Sequence, residues 1–446
     1  MSADNNPALG SLLMEELWTN WGRNQTCAAE AVDHPADEAE LCSIVKAAAA
    51  TGQSVKAVGS GHSFTDIACT YGRRLVLDRY GEILSVDRER LQVTVQAGCT
   101  IQTLNRRLAE LGWALPNLGD IEYQTISGAV STATHGTGVR LGGLATQVVG
   151  FELVTGDGSV LRCSADEEPE VFACGRVGLG ALGVLSTVTL QCVPAFNLHA
   201  IEEPMRLDHV LENIDSYVED NDHFEFYYVP HTGWTLTKRN NRTDEPVGGM
   251  PRWKEVRDKV LFENVAFGLM CRIGRRRPSL IPRLAHLAPS GGRLDYVKPS
   301  HRTLVTTRLV HFVEMEYSIP RVAVPDALLA VKDFIDRSGM MISFPIEVRF
   351  VAPDYIPLST AFGEQRGYIA VHRYVGEPYE QYFRGVEAIM DPLGGRPHWG
   401  KMHYQTAATL APRYPEWDRF QAARKRTDPD GRFRNAYLDR VLGLPS

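Results

Sequence analysis

Residues Gly59-Ser60-Gly61-His62-Ser63-Phe64-Thr65-Asp66 set two glycines two apart, with an imidazole immediately after the second. Glycine admits positive φ and lets bare N–H groups approach a ligand, which suits a phosphate or pyrophosphate. The loop follows a short strand-like run, residues 55–58, so it sits at a strand end. A Rossmann fingerprint needs a third glycine and a helix after it; here Phe64 and a turn-rich Thr65-Asp66 follow instead. The loop therefore reads as a seat for a phosphate-bearing cofactor with a nucleophilic imidazole beside it. A glycine-rich turn carrying a surface histidine is the plainer alternative. A second stretch, Pro345-Ile346-Glu347-Val348-Arg349-Phe350, puts a carboxylate and a guanidinium two apart, on one face of a strand. An exposed ion pair across that face is the bland reading. Ala370-Val371-His372-Arg373-Tyr374 likewise turns His372 and Tyr374 to one side.

The elements that must hold these residues are legible in part. Residues 37–50 predict a helix, with Leu41, Ile44, Val45 and Ala48 on one face and Gly52 as its stop. Residues 100–111 predict another, capped by Thr100 and ended by Gly112. Strands are expected at 75–78, 83–86, 91–97, 148–154 and 159–162, the last two joined by a turn at Gly156-Asp157-Gly158. Residues 115–120 have neither helix nor strand character. Residues 126–140 form a second loop of glycines, serines and threonines whose hydroxyls could line a long cofactor. Gly178, Gly180 and Gly183 spell GxGxxG, but a β-branched run follows and nothing strand-like precedes, so the dinucleotide reading is rejected. Farther on, strands near 224–228, 309–317, 346–351 and 367–374, with helices near 323–338 and 380–390, suit an antiparallel sheet backed by helices.

Composition narrows the classes. The chain has 446 residues, 44% hydrophobic and 23% charged, enough for two domains and a large core. A net charge of -7 argues against nucleic acid as the main partner. The basic cluster Arg272, Arg275, Arg276 and Arg277 reads as a solvated loop. No apolar run approaches the roughly 20 residues that span a bilayer, and residues 1–10 are polar rather than a signal peptide. Eight cysteines lie scattered without a metal-ligand spacing, so no metal site is expected and the cytoplasm is the expected compartment.

The motifs, taken in order, resemble those of the vanillyl-alcohol-oxidase superfamily. They are Gly59 to Phe64, Leu115-Pro116-Asn117-Leu118-Gly119, Ser127-Gly128-Ala129 with Ala133-Thr134-His135-Gly136, and Gly180-Ala181-Leu182-Gly183-Val184. His398-Trp399-Gly400-Lys401 and Asp428-Pro429 through Tyr437 match its closing motifs. The resemblance is closest to its sugar-lactone and polyol branch: gulonolactone, galactonolactone, arabinonolactone and alditol oxidoreductases. It implies an α+β, two-domain flavoprotein: residues 1–194 binding FAD, 195–402 covering the substrate, and 403–446 returning to the first domain. It further implies that His62 bonds covalently to the flavin's 8α-methyl and that Gly59, Ser60, Gly61 and Ser63 hold the pyrophosphate. Gly119, Asp120, Thr125, Gly128, Thr132, Ala133, Thr134, His135 and Leu185 would lie along the cofactor. The expected reaction is hydride transfer from a carbinol of a sugar lactone or polyol, with Glu347, Arg349 and Lys401 as clamp and His372 or Glu347 as base. The family's alditol oxidases carry a small hydroxyl residue where Tyr374 stands, which would narrow the pocket toward a ring-shaped lactone. Gly119 leaves room for oxygen, so oxidase is favoured over dehydrogenase. A flavin-binding protein without catalysis, and a nucleic-acid module resting on the arginine cluster, are the readings from other classes.

Overall fold

Leu41, Val45 and Ala48 recur at helical spacing, and burying them turns this segment into a helix. It runs Glu38–Thr51; the Asp37 carboxylate accepts from the Glu40 amide, and Gly52 ends it at φ 72°. Ile101–Leu111 follows the same grammar, with Thr100 accepting from the Thr103 amide and Gly112 at φ 76°. Both elements stand as the sequence predicts. The computed structural model describes residues 17–250, 265–286, 292–306 and 308–444.

Three sheets position the site. Ala31–Asp33, Arg73–Val76 and Val55–Val58 form a parallel sheet with Arg73–Val76 in the middle, and the glycine loop leaves the end of Val55–Val58. A five-stranded antiparallel sheet runs in the order Val160–Ser164, Val148–Val154, Val184–Gln191, Gln92–Gln96, Ile83–Asp87. The third sheet has eight strands, all antiparallel. Its order is Leu294–Pro299, Asn197–Arg206, Trp234–Thr243, His223–Tyr228, Ile346–Val351, Arg366–Tyr374, Phe312–Pro320, Arg396–Pro397.

Alternation splits the large sheet into two chemistries. Phe224, Phe226, Met315, Tyr317, Val348, Ile369 and Val371 join a core with Val331 and Phe383, from helices Val324–Ser338 and Glu380–Met390. The residues between them face the other way, and register sets them side by side: Tyr227 opposite Glu347, Glu225 opposite Arg349, and Glu314 opposite His372. Near the chain's end, helices Trp417–Thr427 and Ala436–Leu442 send Phe420, Tyr437 and Leu438 into the core that holds Val93 and Val188, so the chain returns to its first half.

Three expectations need correction. Residues 126–140 are not all loop: Ile126–Ser131 is a helix, because the Thr125 hydroxyl accepts from Gly128 N while Ile126, Ala129 and Val130 bury one face. The arginine cluster does not lie in a loop either. Arg272, Arg275 and Arg276 sit on helix Phe267–Arg276, whose buried face is Gly268, Cys271 and Gly274. Tyr374 shares a strand with His372 but packs into the apolar core, 5.4 Å from the Arg275 guanidinium, and does not line the cavity. Strands Asn197–Arg206 and Trp234–Thr243, two of the longest, were not foreseen. All eight cysteines are free. Among the described residues no helix is long and apolar enough to cross a membrane.

Candidate active site

The glycine loop is pinned from three directions. The Trp21 amide donates to Gly61 O at 2.8 Å, the Asn20 side chain donates to Ser63 O at 2.9 Å, and the Phe64 amide donates to Gly400 O at 2.7 Å. A Cβ at Gly59 would overlap the Thr125 hydroxyl, and Gly61 sits at φ +68°, so both positions demand glycine. Asn20 and Trp21 thus clamp this loop.

The loop borders a long groove. Gly59, Ser60, Gly61, His62, Ser63, Thr125, Gly128, Thr132 and Leu185 all line it. So do Leu179, Gly180 and Gly183: the stretch that fails as a Rossmann fingerprint still forms a wall here. Lys56, also missed, closes one side; its Nζ donates to Gly180 O at 3.3 Å and Leu179 O at 3.4 Å. Burial pulls this amine down to about 7, Arg424 adding to the effect and Asp428 opposing it.

His62, Ser63, Gln124 and Thr132 also line a second cavity, so the two spaces meet at the histidine. His62 Nδ1 is buried and has no hydrogen-bond partner among the described residues. Burial, helped by the positive charge of Lys401, lowers the His62 ring to about 4, so at neutral pH it is a free imidazole with an available lone pair. Trp21 stacks on it with centroids 5.5 Å apart. An orphaned nucleophilic nitrogen, a cradle that excludes Cβ atoms and a groove of backbone amides and hydroxyls fit FAD.

The second cavity gathers every expected catalytic residue: Glu347, Arg349, His372 and Lys401. Gly119, Asp120, Thr134 and His135 line it too, whereas Ala133 lines neither space and is buried in the first core at φ 61°. Arg349 is held by carboxylates on both sides. Its Nη2 pairs with Glu347, and its Nε lies 3.0 Å from Glu225 Oε2 at an angle short of a hydrogen bond. Asp120 accepts from Arg308 Nη2 at 2.8 Å and Nε at 3.2 Å. Burial would raise the Asp120 carboxyl, but Arg308 and Arg349 outweigh it and hold it well below the usual range. Lys401 pairs with Glu314, which the sequence reading missed along with Glu316, Asp120's partner Arg308, Glu225 and Tyr227. Burial disfavours the Lys401 charge, yet Glu314 and Glu316 overcome this and keep it protonated.

The two candidate bases differ. His372 Nδ1 lies 3.2 Å from Pro345 O and Nε2 lies 3.5 Å from Glu314 Oε1, so both ring nitrogens face acceptors. Glu347 takes both Tyr227 and Arg349 on Oε1 and, among the described residues, has no partner on Oε2. Burial raises the Glu347 carboxyl above its ordinary value, Arg349 opposing and Asp120 and Glu225 reinforcing. Ligand-type atoms of Glu314, Glu347 and His372, and of His135, Glu316 and His398, converge within 4.8 Å. In both sets the carboxylates already balance a lysine, a guanidinium or an imidazole.

Comparison with known proteins gives the family. Residues 29–164 match the family model described as FAD binding domain, and residues 188–441 match that described as D-arabinono-1,4-lactone oxidase. The chain is 47% identical to L-gulono-1,4-lactone dehydrogenase of Mycobacterium tuberculosis over 96% of its length and 100% of the relative's. It is 36% identical to L-gulonolactone oxidase of Bos taurus over 95% and 97%, and 33% identical to alditol oxidase of a Streptomyces species over 96% and 100%. In fold it resembles cholesterol oxidase from Brevibacterium sterolicum, with a TM-score of 0.80, 16% identity and 96% of each chain covered. The fold is thus the two-part vanillyl-alcohol-oxidase type, an FAD-binding half and a sheet-and-helix cap. The longer family match spans the whole active-site sheet, and the chain belongs to the D-arabinono-1,4-lactone oxidase family.

Proposed function

We propose that the protein oxidises a carbinol of an aldono-1,4-lactone, with FAD held in the groove and joined covalently to His62. The observation that carries this reading is the meeting of groove and cavity at His62, directly beside the Glu347–Arg349–Lys401 face. When bound, FAD would supply the acceptor for the hydride of the carbinol carbon. Glu347 Oε2, unbonded and made more basic by burial, takes the hydroxyl proton. Arg349 and Lys401 orient the substrate oxygens, and their charges are fixed beforehand by Glu225 and Glu314, so little reorganisation is left for the reaction itself. His372, with one ring nitrogen on Pro345 O and the other on Glu314, positions that carboxylate rather than acting as the base. The uncharged His62 ring, which lines both spaces, is the nucleophile offered to the flavin's methyl.

The division 1–194, 195–402 and 403–446 follows the same logic. The C-terminal helices support it by packing in the first core. Free cysteines suit the reducing cytoplasm. Reoxidation is by oxygen or by another acceptor; Gly119 leaves its side of the cavity open.

Oxidation of a linear polyol is the second reading, because Tyr374 does not narrow the cavity after all. Anaerobic mixing of the FAD-loaded protein with L-gulono-, L-galactono- and D-arabinono-1,4-lactone, beside xylitol and sorbitol, separates the two. Bleaching of the flavin band by a lactone is expected; bleaching by polyols alone would replace the lactone reading, and no bleaching would overturn both.

A further inference from the structure

The helix Phe267–Arg276 and the turn after it carry a charge pattern that the redox site does not use. From Val265 to His286 there is no Asp or Glu, while Arg272, Arg275, Arg276, Arg277 and Arg283 all occur, in a protein whose net charge is -7. All five arginines are exposed. Arg275 is tied down, donating to Val375 O at 3.1 Å and stacking over Tyr374, with Glu377 facing it. The side chains of Arg272, Arg276, Arg277 and Arg283 have no hydrogen bond or ion pair to any described residue. Cations in a folded surface usually find a carboxylate; four that do not, side by side, mark a face whose counter-charge comes from outside.

The same helix shows apolar side chains to solvent. Val265 is 56% exposed and Leu269 55%, and with Arg272 and Arg276 they fall at spacings of four, three and four, on one stripe. The opposite stripe is the anchored one. A Cβ at Gly274 would meet Ile281 at 2.8 Å and one at Gly268 would meet Val310 at 3.3 Å, while Phe267 packs edge-on against Phe344 at 4.8 Å. The exposed stripe is therefore held in place by a rigid inner face. Arginines alone would suit any polyanion. Exposed aliphatics on the same stripe suit a surface with acidic headgroups over an apolar interior.

We propose that this stripe is a peripheral docking surface for an anionic phospholipid bilayer. Leu269 and Val265 enter the headgroup boundary, and Arg272, Arg276 and Arg277 pair with lipid phosphates. Because Phe344 stacks on His372 at 5.8 Å, docking brings the substrate-cavity wall close to the bilayer.

The test is co-sedimentation of the FAD-loaded full chain with phosphatidylcholine vesicles, with and without phosphatidylglycerol, at low and high salt. Binding is expected only with phosphatidylglycerol and is expected to fall with salt. The triple variant Arg272→Gln, Arg276→Gln, Arg277→Gln should lose partition on the order of a hundredfold. Leu269→Ser should lose it several-fold with every charge intact. Both variants should keep the wild-type flavin spectrum and rate of reduction by lactone. Equal partition onto neutral vesicles, undiminished binding by the arginine variant or by Leu269→Ser, or retention on DNA with none on vesicles, would each overturn the proposal.

Discussion

Glu347 presents one unbonded carboxylate oxygen to the cavity while Tyr227 and Arg349 occupy the other. Glu347→Gln should therefore slow flavin reduction by roughly a hundred- to ten-thousand-fold, with FAD loading unchanged, in anaerobic stopped flow. His372→Gln should cost far less in the same assay; equal losses would return His372 to the role of base. A Cβ at Gly119 would approach Thr134 Cγ2 at 3.1 Å and His135 O at 3.2 Å. Gly119→Ala should accordingly slow reoxidation by oxygen, read in air after reduction, more than it slows reduction by lactone. At this scale the sequence was half legible. Glu347 and Arg349 are visible because i, i+2 spacing in a strand is enough to pair them. Glu314-Met315-Glu316 and Glu225-Phe226-Tyr227 carry the same signal, a polar residue at alternate positions of an apolar strand, and could have been found with it. Arg308 could not: its partnership with Asp120 spans 188 residues of sequence and depends on the fold.

The short helix Ile126–Ser131 illustrates what elements hide. Ser127, Gly128 and Ser131 are weak helix formers, so the stretch reads as loop by propensity. What decides it is Thr125, whose hydroxyl accepts from Gly128 N at 3.3 Å and also stands against Gly59. An N-cap threonine before a buried isoleucine was the available signal. Thr125→Val should cost about 1 kcal/mol of stability in denaturant melts and weaken FAD uptake at the same time, because one hydroxyl serves helix and groove. Gly59→Ala should leave the fold in place by circular dichroism but abolish FAD retention. Retention at the wild-type level would mean that the groove is not the cofactor's seat. The strands of the large sheet were readable where β-branched and aromatic residues alternate, as in Ile346–Val351. They were not in Asn197–Arg206, where Pro204 and two glutamates obscure the pattern.

Across the whole molecule, several histidines are buried uncharged. Burial takes His398 down to about 3 and His403 to about 3, with Lys401 and Arg440 adding to the effect. In the unfolded chain such rings take up a proton near about 6.5. Between about pH 6.5 and 3 the unfolded state thus binds more protons than the folded one, and stability falls as the pH drops through that window. Thermal melts of the FAD-loaded protein should show Tm declining across that range, and His403→Asn should make the decline shallower. The overall two-part layout was legible through the ordered motifs that carry the family resemblance, while periodicity gave only the individual helices and strands. The convergence of groove and cavity on one side chain was not, since it joins the end of a parallel sheet to the face of an antiparallel one. That junction is the centre of the account, and His62 is its joint. The most direct test is ultraviolet fluorescence of the acid-denatured protein on a denaturing gel, wild type beside His62→Ala. The account predicts a fluorescent flavin band at the mass of the wild-type chain and none for the variant. Release of all flavin from the wild type on denaturation would contradict it.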